Sequence, residues 1–215
     1  MSNESFDFNA FIQESKEVLV NPKSYFSTMK TSGGMTEPLI KAVIYGAIAG
    51  AIAFVWSLLK LGSVGGGLLG GGIGIMVFIG YIIGSIIGLF IGAVVIMIIS
   101  AICKGSTDFE ANVRVTAALM VVLPISAFLG FTGHFNLYFG VIVGLAVNAL
   151  YLWLLYNALI ETLKAKPETT KIVMYVLIAL IVIMSIAGLG AKRKASQFMN
   201  EFNSSEFKEM MEQQK

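Results

Sequence analysis

His134 and Cys103 are the only histidine and the only cysteine in the chain. A histidine acting as a general base needs an orienting partner within hydrogen-bond reach. A structural zinc needs four nitrogen or sulfur ligands. Neither residue has such company in the sequence around it. His134 therefore reads as a solvated loop residue. Cys103 reads as a small residue at a membrane boundary, where palmitoylation is conceivable. With one cysteine no disulfide can form within the chain. There is no nucleophile motif, no phosphate-cradling loop and no paired acidic constellation, so nothing points to catalysis, a metal or a cofactor.

The densest polar stretch is "CKGSTDFEANVRVTAALMVVLP", residues 103–124. Thr107, three residues before Glu110, predicts a capping box at a helix start. Asp108 in the first turn suits the helix dipole. Phe109 is placed to anchor at an interface, and Arg114 to snorkel from the first turns. Pro124 predicts a kink. Each residue has a structural job here; a partner site at Lys104–Arg114 is the other reading. Farther on, Asn148 predicts a hydrogen bond across helices. Trp153, Tyr138 and Tyr156 have the character of interfacial aromatics.

Four glycines, Gly80, Gly84, Gly88 and Gly92, recur every fourth residue in "FIGYIIGSIIGLFIGAVV". On a helix such positions drift by only about 40° per step, so they form a slowly winding stripe. In lipid, helices associate through close packing, and small residues let backbones approach. Gly46 with Gly50, and Gly140 with Gly144, can supply complementary surfaces. The stripe is first a packing seam within the monomer. A seam between copies of the chain is the second reading, and a substrate path the third.

These residues need a membrane to hold them. The 215 residues are 56% hydrophobic and 13% charged, and no charged residue occurs between Leu61 and Cys103. Ordinary soluble domains carry about 25% charged residues. A net charge of +2 gives no reason to expect nucleic acid. Five apolar spans are predicted near 38–59, 74–101, 112–132, 138–160 and 172–190, each long enough for the ~20 residues that cross the hydrocarbon. The expected fold is all-α: an integral membrane bundle of five transmembrane helices preceded by an N-terminal amphipathic helix over 7–20. On that helix Phe8, Phe11, Ile12, Val18 and Leu19 share a face. Its polar face is slightly acidic, so docking on the protein's own bundle or on a partner competes with lipid binding. Asn21 and Pro22 stop it and start a second, short helix. The organisation is thus 1–35 amphipathic, 36–191 transmembrane, and 192–215 a polar tail. The glycine-rich 62–74 is either a flexible connection or a re-entrant turn.

Basic residues before the first span, around the second loop (Lys104, Arg114) and around the fourth (Lys164, Lys166, Lys171) fall on one side of a five-span chain. The positive-inside rule puts that side, with the N-terminus, in the cytoplasm. Lys192, Arg193 and Lys194 oppose this assignment. The spans hold no ionisable residue at depth, which argues against a proton-coupled transporter.

At "NPKSYF", "CKGSTDFEANVRVTAALMVVLP" and "YLWLLYNALIETLKAKPETTKIVMYVLIAL" the chain resembles the Ypt-interacting-protein (Yip) domain family, over about 20–190. Pro22 and Phe26 match its first element, Pro38 the start of its first span, Gly105 and Phe109 the loop before its third span, and Pro124 the proline within that span. The resemblance implies five spans, a cytoplasmic N-terminus and no enzyme activity. It makes contact with a GTPase an expectation by family analogy alone. The reading is a non-enzymatic membrane organiser or scaffold whose partners are the lipid bilayer and another membrane protein or a second copy. The alternative is a small-molecule or lipid permease using the glycine groove. Absence of a retrieval or targeting signal points to a prokaryotic plasma membrane, with an endomembrane as the other possibility.

Overall fold

A computed structural model describes the backbone of residues 7–59, 61 and 70–202, and the side chains of 7–59, 61 and 75–190. The first helix, α1 (Phe8–Val20), starts where Asp7 Oδ1 accepts the N–H groups of Asn9 and Ala10 at 2.9 and 3.1 Å. Such a cap satisfies donors that have no partner inside the helix. Asn21 then occupies the N-cap position of α2 (Pro22–Thr28), with Pro22 in the first turn and no side-chain cap bond. The loop that follows turns at Gly33 (φ 132°) and Gly34 (φ 90°), backbone that favours glycine.

The membrane bundle comprises α3 (Thr36–Leu58), α4 (Gly70–Ile102), α5 (Phe109–Leu119), α6 (Val122–Leu129), α7 (Thr132–Phe135), α8 (Leu137–Asn157), a π turn (Ala158–Thr162) and α9 (Pro167–Phe202). Among the described residues five stretches are long and apolar enough to cross a bilayer: Thr36–Leu58, Ile75–Ile102, Phe109–Phe135, Leu137–Thr162 and Pro167–Gly190. No strand occurs among the described residues. The glycine-rich run lies mostly outside the described residues; from Gly70 the chain is already α4. The backbone of α9 runs unbroken through Lys192–Lys194 to Phe202, so the helix does not end where the apolar stretch does.

The third span is divided. Pro124 has no N–H to give the carbonyl of Met120, and its ring crowds that carbonyl. The helix accordingly stops at Leu119 and resumes at Val122, so the break lies one turn ahead of the proline. The start of α5 departs from expectation. Its cap is Asp108, whose Oδ1 accepts the N–H of Ala111 at 2.7 Å, not Thr107. Glu110 is thereby released from capping and serves elsewhere.

α5 is the centre of the bundle, with every residue from Ala111 to Val122 buried. α4 lies along α3, α6 packs on α3 and α8, and α9 touches chiefly α8. Ile83, Ile87, Ile91 and Ile183 point outward. In water that would be costly; facing acyl chains it costs nothing, because lipid is as apolar as they are.

Candidate functional site

Two of the cations at the edge of the membrane are inside the protein. Lys41 is 8% exposed and Arg114 7%. Lys41 Nζ lies 2.5 Å from Glu14 of α1 and 2.7 Å from Glu37, one turn earlier on α3. Arg114 Nη1 lies 2.9 Å from the other oxygen of Glu37, and its Nε 3.2 Å from Glu110. Its Nη2 donates to the Gly34 carbonyl at 2.9 Å, while the Gly34 N–H donates to Glu110 at 2.6 Å. Two cations and three carboxylates from α1, α3 and α5 thus form one continuous network around the glycine turn. A buried cation is expensive unless paired and hydrogen-bonded; here each has several acceptors. Arg114 does not snorkel as expected, because the loop brings an acceptor to it.

The network borders a polar cleft of about 750 Å³ between α1, α2, the glycine turn and α3, with Asp7, Glu14 and Glu17 along its α1 wall. Tyr25 also lines it, and burial pushes its phenol well above its ordinary pKa, so it stays neutral. Beneath α2, two loops are stitched together. The Ser106 N–H donates to the Leu163 carbonyl at 2.7 Å, and the Lys166 N–H to the Cys103 carbonyl at 2.9 Å. Each loop contains one left-handed lysine, Lys104 (φ 59°) and Lys164 (φ 55°). Thr162, in the π turn, donates to the Phe26 carbonyl at 2.7 Å. α2, the α4–α5 loop and the α8–α9 loop therefore share one end of the bundle.

A second cavity lies at membrane depth. It is about 640 Å³, lies between α4, the third span and α8, and is walled by Leu119, Met120, Leu123, Val147 and Tyr151. Gly80, Gly84, Gly88 and Gly92 line it. A methyl group added at Gly80, Gly84 or Gly88 would meet nothing within 4 Å. Among the described residues these three have no other helix against them, contrary to a packing seam within the monomer. Gly92 does: its added carbon would stand 2.9 Å from Thr116 Cγ2. The reason is the break in the third span. α5 accompanies α4 as far as Thr116; beyond Met120, α6 leans to α3, where the Trp56 indole N–H donates to the carbonyls of Ala127 and Phe128. α4 and α8 scarcely touch, and the gap between them stays open.

The other small residues also depart from expectation. Gly46 and Gly50 are pressed against α4, at Ser85, Tyr81 and Phe78 rather than at the glycine stripe. Gly140 abuts Gly133 of α7, and Gly144 has open space beside it. Asn148 lines the cavity and its amide donates to Gly144 of its own helix at 2.9 Å, not across helices.

A family model described as the Yip1 domain matches residues 16–189. The chain belongs to the Yip1 domain family. No curated protein and no solved structure matches it. Within this Yip1 domain, Pro22, Phe26 and Pro38 are buried. Gly105 sits where a side-chain carbon would come within 2.6 Å of Ser100 Oγ and 2.9 Å of the Leu163 carbonyl. Those four residues lie at the end that carries α1, whereas Phe109 is 40% exposed and Pro124 lies at the break of the third span. His134 is exposed in α7 and Cys103 is wholly buried. Among the described residues no three His, Cys, Asp or Glu side chains gather as a metal site.

Sequence reasoning passed over Glu14, Glu37 and Lys41. One signal was present: Glu37 and Lys41 stand four apart at the start of a span, an ion-pairing distance on a helix.

Proposed function

We propose that this Yip1-domain protein is a non-enzymatic membrane organiser that acts by receiving a transmembrane helix of another chain in the groove along α4. One observation carries this reading: the stripe Gly80–Gly84–Gly88 is open at membrane depth, with no other helix against it among the described residues. Small residues allow close helix approach in lipid, and groups such as Asn148 add hydrogen bonds across a helix pair. The helix received belongs to a second copy or to a different membrane protein. The basic residues gathered at the α1 end support a cytoplasmic position for that end by the positive-inside rule, where a GTPase contact by family analogy would also act.

A photo-crosslinking amino acid in place of Met120, which lines the groove from the third span, irradiated in native membranes and read by mass spectrometry, tests this. The expected product is a discrete protein adduct, absent when the same group replaces the outward-facing Ile87. Adducts to lipid alone at Met120 would overturn the reading. They would favour a lipid permease, which the largely apolar walls of the groove also suit.

A further inference from the structure

We propose that α1 is an interfacial helix, one flank of which, carrying Phe8 and Ile12, is embedded at the boundary between lipid headgroups and acyl chains. Two adjacent residues of α1 reach two residues one turn apart on α3. Glu14 reaches Lys41 at 2.5 Å, and Ser15 reaches the Tyr45 hydroxyl at 2.7 Å. Tyr45 is one turn farther into the span than Lys41, so it lies about 6 Å deeper. The Ser15 side of α1 therefore faces the hydrocarbon and the Glu14 side faces out of it.

The residues on the two flanks follow that direction. Continuing round the helix past Ser15 come Phe8, Leu19 and Ile12; past Glu14 come Ala10 and Glu17. Phe8 and Ile12 are 56% and 53% exposed, although their neighbours Phe11 and Val18 are buried against the bundle. Asp7, Ala10, Glu14 and Glu17 line the polar cleft. One flank is thus apolar, uncovered and turned toward the membrane, and the other is acidic and turned toward a cleft that holds charged groups. Lys16, exposed just beyond Ile12, stands where its stem can lie along apolar chains with its ammonium at the phosphates.

Depth selects lipid over a soluble partner. α1 is tied to a residue of a spanning helix, and the Phe11 and Tyr45 rings are 5.0 Å apart. A flank pointing deeper than Tyr45's contact lies at the level where acyl chains begin. The acidic flank explains why the helix has no broad basic face: its polar side serves the network of Lys41 and Arg114. Apolar wedging, with one lysine, holds it in the interface. This inference concerns α1 and is independent of what occupies the groove along α4.

The test uses the full chain in vesicles of phosphatidylcholine and phosphatidylglycerol. Single cysteines, Phe8→Cys, Ile12→Cys, Gln13→Cys and Glu17→Cys, receive a nitroxide label; wild-type protein, whose Cys103 is buried, supplies the background. Collision with oxygen, which concentrates in lipid, is compared with collision with a water-soluble nickel chelate. The expected oxygen-to-nickel ratio is several-fold higher at positions 8 and 12 than at 13 and 17. Equal ratios at all four positions would overturn the proposal by placing the whole helix in water. Low collision with both reagents at 8 and 12 would overturn it too, since a protein surface would then cover the flank. Lys41→Met, which cuts the tie to Glu14, is expected to lower the contrast between the two pairs.

Discussion

On one side of α4, Ser85, Leu89 and Ala93 are buried. About 100° away on the same helix, Gly80, Gly84 and Gly88 open onto a cavity. The first stripe sets Ser85 and Ala93 on either side of Leu89 and the second is all glycine, yet among the described residues only the first meets another helix of the chain. The difference lies in what stands opposite. α3 precedes α4 in the chain and offers Gly46 and Gly50, so the two backbones close together. Opposite the glycines stands the third span, and Pro124 breaks it at the level where they begin. A stripe of small residues permits close approach; the course of the neighbouring helix decides whether approach occurs.

Substitutions of the same kind on the two sides should therefore behave differently. Gly46→Leu should have the largest effect. Even its first side-chain carbon would overlap Ser85, and the Tyr81 carbonyl stands 3.0 Å away. Overpacking of this kind costs about 3 kcal/mol at the upper end of the usual range. Thermal unfolding in detergent should show a marked fall in Tm, and an unchanged Tm would mean that α3 and α4 are not in contact as described. Gly92→Leu should come next, at about 1–2 kcal/mol, because only the Thr116 methyl must yield. If it proved as damaging as Gly46→Leu, the groove would be closed along its whole length.

How far the sequence shows this can be traced residue by residue. Five spans follow from hydropathy, because a continuous apolar run in lipid has no stable alternative to helix. The cap at Asp7, the stop at Pro22 and the interruption near Pro124 are local events, written in the residues that cause them. Burial of Arg114 is not local. Whether an arginine near a span end snorkels or turns inward depends on a carbonyl, that of Gly34, brought from 80 residues away. The same holds for α1. Its amphipathic pattern leaves docking and lipid binding both open and does not name Tyr45 and Lys41 as contact points. The glycine stripe is the clearest case, since its spacing records a capacity for contact and carries no information about which helix uses it.

Asn148→Leu sharpens the comparison from across the cavity. Its amide is bonded only within α8, so the isolated protein should lose little; hydrogen bonds between helices in lipid average about 0.6 kcal/mol, and this one is not of that kind. A Tm shift in detergent as large as that of Gly92→Leu would show that Asn148 has a partner inside the monomer.

Gly84→Leu together with Gly88→Leu should have the smallest effect on stability. Nothing lies within 4 Å of the first added carbon at either site, and both sites line the cavity of about 640 Å³; leucine is also the better helix former by somewhat less than 1 kcal/mol per site in water. Tm in detergent should stay the same or rise. The same pair should remove the protein adduct formed by the crosslinker at Met120, because two leucines fill the space that an incoming helix would occupy. Stability and association would then be separated on a single helix: Gly46 governs the first and Gly84 with Gly88 the second. A double variant that melts early would return the glycine stripe to the interior of the monomer and remove the groove as a docking surface. A double variant that is stable and still forms the adduct would place the partner's contact elsewhere on the third span.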